Sequence, residues 1–363
     1  MAKYKQIIQN LRENINSGRY RKGDRLPSEA ELVKKFDTSR ITVNRALREL
    51  QIIGLIERRA GSGSYVCEPE NPSYTFGLLI PDLGQTEVFE PICRGMAQAR
   101  ESDQYTLIWG KSSEGSASKG EQAMQISRQF IRERVSGVFF ASLELTPEKD
   151  AINRNICREF DEAGIPVVLL DRDLVAYPER SAYDLVGIDN RRAGYAITSQ
   201  LLGAGCKRII FVGRPGSAPT VDARIAGFRE AMLDSPLQFC PEVICRIDPW
   251  DGEAVRHTIE SVRPDGIVCA NDFTAAHLMR ALTEFKVNVP DQVRMVGIDD
   301  VKYASLLSVP LTTIHQPCDE IGKAAVAAMV QRLRNPGLPA RDILLNFRVV
   351  VRQSCGTRAA ERG

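Results

Sequence analysis

From residue 76 onward, short apolar runs alternate with amphipathic helical patterns along most of this 363-residue chain. Nine runs have the length and composition of buried strands: residues 76–80, 106–109, 137–141, 167–170, 185–188, 208–212, 243–247, 266–270 and 293–298. Buried strands separated by helices indicate parallel sheets with right-handed crossovers. Nine strands are too many for a single sheet of ordinary size. We therefore predict an α/β fold with two doubly wound parallel-sheet subdomains and a ligand cleft between them.

The first 66 residues differ from the rest because they are strongly basic. They hold fourteen Lys and Arg side chains against seven Asp and Glu, a net charge of +7, whereas the whole chain carries +2. The remaining residues are therefore mildly acidic, with a net charge of −5. A small basic head on an acidic body indicates a polyanion as the partner of the head, most often nucleic acid.

The basic segment has the pattern of three helices followed by a hairpin. Apolar residues recur at helical spacing over residues 4–15 and again over residues 43–50. Between these stripes, Ser28 and Glu31 have the spacing of a capping box at the start of a second helix. Two short strand candidates then flank a Gly-Ser-Gly tip. This order predicts an N-terminal winged helix-turn-helix over residues 1–67, a fold that binds DNA.

The outward face of the third predicted helix is polar and basic in its first two turns. Arg side chains bond guanine, Asn bonds adenine, and Ser and Thr reach phosphates or base edges. Arginines beside the hairpin tip are placed for phosphate or the minor groove. From this chemistry we predict DNA contacts by Ser39, Arg40, Thr42, Asn44, Arg45 and Arg58.

An ordered set of motifs in the head resembles the GntR family of bacterial transcription regulators. The motifs are LPSE at 26–29, TSRITVNRAL at 38–47, GLI at 54–56 and GSGSYV at 61–66. The resemblance implies that Arg40 and Thr42 contact DNA, together with Ser28 at the second helix and Gly63 at the wing tip. Many members have Arg at the positions of Ala30 and Asn44, so the operator preference is expected to differ.

The segment after the head separates two domains. Residues 68–73 contain two prolines and no apolar side chain, which is typical of an extended, semi-rigid spacer. We therefore predict a winged helix-turn-helix domain at 1–67, a linker at 68–75 and an effector-binding domain at 76–363.

Polar and aromatic side chains follow several predicted strands of the acidic body, where parallel sheets place their ligand sites. They are Asp82, Asp171, Arg224, Trp250, Asn271 and Asp299. Carboxylate, carboxamide and guanidinium groups bond hydroxyl pairs, and an aromatic ring stacks on the C–H face of a sugar. The plain alternative for each single Asp is capping of a helix N-terminus. Together these residues favour a site for a sugar-like effector.

Motifs over residues 76–356 resemble the effector domain of LacI-type regulators, which is itself similar to periplasmic sugar-binding proteins. They are DNRRAG at 189–194, CKRI at 206–209, DARIAGF at 222–228, AND at 270–272, VGIDD at 296–300 and LTTI with Gln316 at 311–316. The resemblance implies stacking by Trp250 and effector contacts by Asp171, Arg224, Asn271, Asp299 and Gln316. It also implies that Asp82 and Phe89 close the other wall. A winged head on such a body is the layout of arabinose-type repressors.

These features predict a ligand-responsive transcription regulator, foremost a repressor, that binds a double-stranded DNA operator as a homodimer. The sequence does not decide the identity of the effector, and pentoses, hexoses, disaccharides, sugar acids and purine-like ligands are all candidates. An activator and a sugar-binding module without DNA-binding activity are the alternatives. An enzyme is disfavoured because no catalytic motif is complete; for example, Gly110-Lys111-Ser112 lacks the upstream glycine of a P-loop.

No cofactor, metal ion or membrane partner is expected, and the predicted location is the cytoplasm. The nine cysteines are scattered without a C-x-x-C pair, which is typical of reduced thiols in that compartment. The three histidines lie far apart in the chain. No apolar stretch approaches the ~18 residues of a membrane span, and the first residues lack the apolar segment of a signal peptide.

Overall fold

The computed structural model describes residues 3–16, 19–52, 55–59, 61–67, 74–81, 87–99, 105–110, 118–236 and 243–356. Described residues up to Tyr74 belong to one compact unit, and those of 75–99 and from Thr106 onward form a second. Residues 68–73 of the predicted linker lie outside the described ranges.

The first unit contains three helices and a two-stranded hairpin. These elements are α1 (Lys3–Asn16), α2 (Glu29–Phe36), α3 (Arg40–Ile52), β1 (Ile56–Arg59) and β2 (Gly63–Val66). The predicted capping box starts α2, because Ser28 Oγ accepts from the Glu31 amide at 3.3 Å while the Glu31 carboxylate accepts from the Ser28 amide at 2.7 Å. The predicted apolar stripes meet in one core: Ile7, Leu11, Leu26, Leu32, Val43, Ala46, Leu47, Leu50, Ile56 and Val66.

The second unit begins with a subdomain built on a six-stranded sheet. Its strands are β3 (Tyr74–Leu79), β4 (Tyr105–Trp109), β5 (Gly137–Phe140), β6 (Val167–Leu170), β7 (Asp184–Ile188) and β13 (Asp342–Leu345), in the order β13-β7-β6-β5-β3-β4. Neighbouring strands from β13 to β3 pair in parallel. The helices of this subdomain are α4 (Phe89–Ala97), α5 (Lys119–Glu133), α6 (Lys149–Glu162) and α11 (Cys318–Arg334). We call it the N-terminal subdomain.

The C-terminal subdomain is built on a four-stranded parallel sheet. Its strands are β8 (Ile209–Gly213), β9 (Ile244–Arg246), β10 (Gly266–Cys269) and β11 (Arg294–Val296), in the order β11-β10-β8-β9. Its helices are α7 (Asn190–Gly203), α8 (Pro219–Leu233), α9 (Gly252–Val262) and α10 (Asp272–Glu284), with short 3-10 turns at Lys302–Ser305 and Gln353–Cys355. An antiparallel pair, β12 (Thr313–His315) with β14 (Arg348–Val350), lies where the chain crosses between the subdomains.

All nine predicted strands are present with small shifts at their ends, whereas β12, β13 and β14 were missed. β12 and β14 have three residues each and pair antiparallel with each other, so they lack the long apolar run of a buried parallel strand. β13 lies at the edge of its sheet, and its alternately exposed side chains do not form the continuous apolar run of a buried strand.

Helices α7 and α8 pack so closely that glycine is needed on both. A Cβ atom at Gly194 would lie 2.1 Å from the Arg224 carbonyl oxygen, and one at Gly227 would lie 1.8 Å from the Arg191 carbonyl oxygen. Both distances are well inside van der Waals contact. The two glycines therefore determine how closely α8, which carries Arg224, lies against α7.

Within the part of the chain that the structure describes, no helix combines the length and the apolar character needed to span a bilayer.

Candidate functional site

A cavity of about 640 Å³ lies between the two subdomains of the second unit. Its walls are formed by residues that follow strands of both sheets. From the N-terminal subdomain they include Pro81, Glu144, Asp171 and Arg172, and from the C-terminal subdomain Arg214, Arg224, Trp250, Asn271 and Asp299. The volume lies within the range of small-molecule sites. The position, beyond the carboxyl ends of parallel strands, is where such sheets bind ligands.

The structure brings together five of the predicted effector residues: Asp171, Arg224, Trp250, Asn271 and Asp299. Gln316 lies behind Asp299 and donates from Nε2 to its Oδ1 at 2.8 Å, while lining an adjacent cavity. Phe89 is fully buried, with its ring centroid 5.0 Å from the guanidinium carbon of Arg172. Asp82 lies outside the described residues. The effector-binding roles of these residues stay predictions.

The guanidinium of Arg224 is held by three partners. Its Nε donates to Asn190 Oδ1 at 2.8 Å, its Nη1 to the Ala270 carbonyl at 2.6 Å, and its Nη2 faces Asp299 Oδ1 at 3.4 Å. Arg224 is only 3% exposed. A guanidinium fixed in this way presents its remaining N–H edge in one direction, which favours geometric selection of a ligand.

Two neighbouring carboxyl groups lie near this arginine: Asp272, which is fully buried, and Asp299, whose side chain is 14% exposed. Burial raises the pKa of Asp272, and the charge of Asp299 adds to the effect, although Thr313 Oγ1 at 2.6 Å and the Val301 amide at 3.1 Å donate to it. Burial also raises the pKa of Asp299, against the opposing charge of Arg224. The pair therefore retains a proton more readily than exposed carboxyl groups do.

The position of Asn271 is compatible with both interpretations of a polar residue after a strand, as a helix cap and as a ligand contact. It caps α10, because its Oδ1 accepts from the Thr274 amide at 2.8 Å, and it also lines the cavity. The helix cap uses the oxygen of the carboxamide and not its nitrogen.

Backbone strain concentrates in the loops that carry the cavity carboxylates. Asp171 has φ 61°, Asp299 has φ 134° and Asp300 has φ 55°, all in the left-handed region that non-glycine residues seldom adopt. Strain of this kind is retained where the surrounding structure holds a functional geometry. Among the described residues, Asp171 Oδ1 is buried without a hydrogen-bond partner.

Among the residues of the cavity wall that were missed in the sequence are Glu144, Arg172 and Arg214. Each comes soon after a strand, so the rule that identified Asp171 also covered them. Arg172 forms an ion pair with Glu144, and Arg214 faces Asp248 at 3.5 Å.

Aromatic side chains form a further part of the wall. Trp250 is 50% exposed and its ring lies edge-on to Phe273, with 5.7 Å between the ring centroids. His277 lies 4.9 Å from Trp250, and the Arg214 guanidinium lies 4.3 Å from the same indole ring. The exposed indole provides a flat apolar surface at the cavity.

In the first unit, the N-terminal end of α3 is exposed. Ser39 Oγ accepts from the Thr42 amide at 3.3 Å and lies 2.9 Å from Thr42 Oγ1, so Ser39 caps the helix. Arg40 and Arg48 are exposed on the same helix. Ile41, which the sequence pattern did not single out, is 83% exposed and is an apolar side chain of the kind that contacts thymine methyl groups.

Other predicted DNA contacts already have partners within the unit. Arg58 donates to Asn44 Oδ1 at 3.1 Å and to Glu29 at 2.5 Å. Arg45 lies over the ring of Tyr4 at 4.1 Å and pairs with Glu49 at 3.4 Å.

The wing requires glycine at the predicted tip position. Gly63 has φ 123°, and a Cβ there would lie 2.9 Å from Arg25 Nε. No other residue adopts this conformation readily. Contact of these head residues with DNA remains a prediction.

Comparison with protein families covers both units. Residues 3–66 match the model of bacterial regulatory proteins of the gntR family, and residues 198–355 match a periplasmic binding protein-like domain. The chain joins a gntR-family domain to a periplasmic binding protein-like domain. The resemblance and the fold class predicted from the sequence are thereby confirmed.

Individual proteins match most of the length of this chain. The arabinose metabolism transcriptional repressor of Geobacillus stearothermophilus is 27% identical over 370 residues, which cover 98% of each chain. The transcription regulator CcpA of Lactococcus lactis has a TM-score of 0.66 at 19% identity, over 78% of this chain and 99% of that one. The cellobiose complex of the transcriptional regulator CelR has a TM-score of 0.64 at 24% identity, over 87% and 90%.

These relatives are transcription regulators, so the prediction of a transcription regulator is confirmed and a role outside enzyme catalysis is supported.

Proposed function

We propose that this protein is a transcriptional repressor whose affinity for operator DNA is controlled by an uncharged sugar bound in the cavity between the subdomains. The observation that carries the choice of ligand is the charge pairing of the cavity wall. Its guanidinium groups face carboxylates of the protein, and the buried Oδ1 of Asp171 and the buried Nε of Arg214 both lack a hydrogen-bond partner among the described residues.

The pairing disfavours phosphorylated sugars and sugar acids. Arg172 pairs with Glu144, Arg224 with Asp299 and Arg214 with Asp248. The fourth cation of the wall, Lys119, also interacts within the protein. The carboxylates that already neutralise these cations would repel an anionic ligand, whereas an uncharged sugar meets no such repulsion.

The same wall suits hydroxyl groups. A sugar hydroxyl donates to Asp171 Oδ1 and removes the cost of that unpaired acceptor. The remaining N–H groups of Arg224 and the carboxamide of Asn271 supply donors for other hydroxyls. Trp250 offers its exposed ring to the C–H face of the sugar. A cavity of about 640 Å³ accommodates rings from a pentose to a disaccharide.

The head supports operator binding by a homodimer. A two-fold pair of winged domains reads two half-sites of an inverted repeat. Effector binding changes the relative arrangement of the two cavity-forming subdomains, and this change alters the spacing of the heads. Such coupling is typically worth about 1–3 kcal/mol.

DNA binding is tested by selecting operators from a random duplex library with the full-length protein and measuring the affinity for the selected duplex at several salt concentrations. We expect an inverted repeat and a steep decline, with a log–log slope near −0.9 for each phosphate neutralised. Absence of an enriched sequence together with a flat salt response would contradict DNA binding and favour a sugar-binding module.

The ligand class is tested by a thermal-shift screen that compares neutral sugars with anionic sugar derivatives. L-arabinose, D-ribose and cellobiose are compared with ribose 5-phosphate and gluconate. A ligand present at 100 times its Kd adds about 2.7 kcal/mol to the stability of the protein. Stabilisation by the anionic compounds alone would refute the proposed ligand class.

A further inference from the structure

Two loops of the second unit meet across the cleft. One follows β5 and contains Glu144 and Leu145, whereas the other joins β8 to α8 and contains Gly216 and Ala218. The Leu145 amide donates to the Gly216 carbonyl at 2.8 Å. The Ala218 amide donates to the Glu144 carboxylate at 3.0 Å. Both hydrogen bonds join the N-terminal subdomain to the C-terminal subdomain.

The start of α8 lacks a capping side chain of its own. Ala218 occupies the N-cap position in extended conformation and makes no side-chain cap bond. Alanine is a poor N-cap residue, and the first amides of a helix need acceptors from elsewhere. Glu144 supplies one acceptor and places a negative charge at the positive end of the helix dipole. It does so from the opposite subdomain, so the contact depends on how the two subdomains are arranged.

Glu144 is also bonded to the wall on its own side of the cleft. It forms an ion pair with Arg172, and the two side chains are 14% and 10% exposed. Arg172 directly follows Asp171, whereas α8 carries Arg224. One carboxylate therefore connects the two walls that carry the predicted effector residues.

From these contacts we infer that Glu144 is a positioning residue, which caps α8 across the cleft and holds the subdomains in the arrangement where Asp171 and Arg224 face one cavity. The inference rests on the proposed function only in taking that cavity as the effector site.

A second contact across the cleft provides an independent reporter of closure. The Lys302 amide of the C-terminal subdomain donates to the carboxylate of Glu87, in the N-terminal subdomain, at 3.2 Å. Neither residue touches Glu144 through a hydrogen bond or an ion pair in the described structure. If Glu144 holds the whole cleft closed, its removal releases the Lys302 amide as well as the Ala218 amide.

The test is amide hydrogen exchange, measured by mass spectrometry on the full-length protein without DNA or sugar. Loss of a charge-assisted hydrogen bond in Glu144→Ala should speed exchange about tenfold in peptides covering Ala218 and in those covering Lys302. Glu144→Gln keeps an acceptor and should give an intermediate rate. Glu148→Gln is the matched control, because Glu148 is exposed in the same loop and makes no side-chain cap bond. It should leave both rates unchanged.

Three outcomes would overturn the inference. Faster exchange around Ala218 alone would reduce Glu144 to a local helix cap. Faster exchange in all peptides of the second unit would indicate general destabilisation, and unchanged exchange would mean that the contact holds nothing. Since neither DNA nor sugar is present, each result is separate from failure of the proposed function.

Discussion

The guanidinium of Arg58 on β1 donates to the side-chain oxygen of Asn44 at 3.1 Å, which joins the hairpin to α3, the helix predicted to contact DNA. The same guanidinium also donates to the carboxylate of Glu29 on α2 at 2.5 Å. Asn44 stands where many GntR-like regulators have arginine, and an arginine there would repel Arg58 instead of accepting from it. The departure from the family pattern thus coincides with a contact that sets the position of the wing.

Arg40→Ala should weaken operator binding while leaving sugar binding unchanged. Arg40 is exposed at the start of the recognition helix and has no charged partner among the described contacts. A bidentate contact to a base is worth about 1–3 kcal/mol, so we expect a loss of roughly 5- to 150-fold in affinity by gel shift. Arg128→Ala, an exposed arginine of the second unit, serves as the control. Equal affinities for both variants would show that the recognition helix is wrongly assigned.

Arg224→Ala should abolish the effect of sugar on operator binding, although DNA binding persists. The substitution removes three contacts that fix the guanidinium and leaves Asp299 buried without its cation. Asn271→Ala should have the same functional effect and, because it also removes the α10 cap, cost about 1 kcal/mol of stability. Calorimetric titration with the sugar found by thermal shift measures the loss. Titrations that match the wild-type protein for both variants would exclude these residues from the site.

Gly194→Ala should destabilise the second unit strongly. The new methyl group would lie 2.1 Å from the Arg224 carbonyl oxygen, so α7 and α8 must separate. Overpacking of this kind costs typically about 1–3 kcal/mol, and backbone contact at this distance favours the upper end. Gly203→Ala on the same helix is the control, because a Cβ there meets nothing within 4 Å. Urea denaturation of both variants measures the difference, and equal midpoints would contradict the close packing.

Asp272→Asn should become more stable relative to the wild-type protein as the pH rises. Burial, reinforced by Asp299, raises the pKa of Asp272 above its ordinary value of 3.8, so the folded protein binds this proton more tightly than the unfolded chain does. Its contribution to stability is present below that value and is lost as the pH rises through the folded pKa. A proton held ten times more tightly by the folded protein is worth about 1.4 kcal/mol. Denaturation at pH 4.5, 6 and 7.5 measures the trend.

Asp319→Asn should change stability with pH in the opposite direction to Asp272→Asn. The hydrogen bond and charge of Arg94 lower the pKa of Asp319, so its contribution is complete above the ordinary value of 3.8 and is lost only as the pH falls below it; the measurements for this variant therefore extend to about pH 3. The stability of the variant should therefore fall furthest below that of the wild-type protein at neutral pH. Parallel trends for the two variants would mean that the raised pKa of Asp272 is wrongly assigned.

The amino-acid sequence by itself determined the local elements of this protein and their order. The capping box at Ser28 and the apolar stripe ending at Leu50 depend on neighbours a few residues away, so their patterns are visible in the chain. The buried strands were equally visible, because a parallel strand covered on both faces is a continuous apolar run. Placement of polar residues after those strands was sufficient to group Asp171, Asn271 and Asp299.

Only the tertiary structure decided which side chains meet. β12, β13 and β14 exist because the chain crosses between the subdomains and pairs with strands far away in sequence, which no short window contains. The partners of Arg224, the capping of α8 by Glu144 and the burial of Phe89 depend on the distance and angle between two sheets. These contacts are made between residues tens of positions apart, so their geometry follows from packing and not from local propensity.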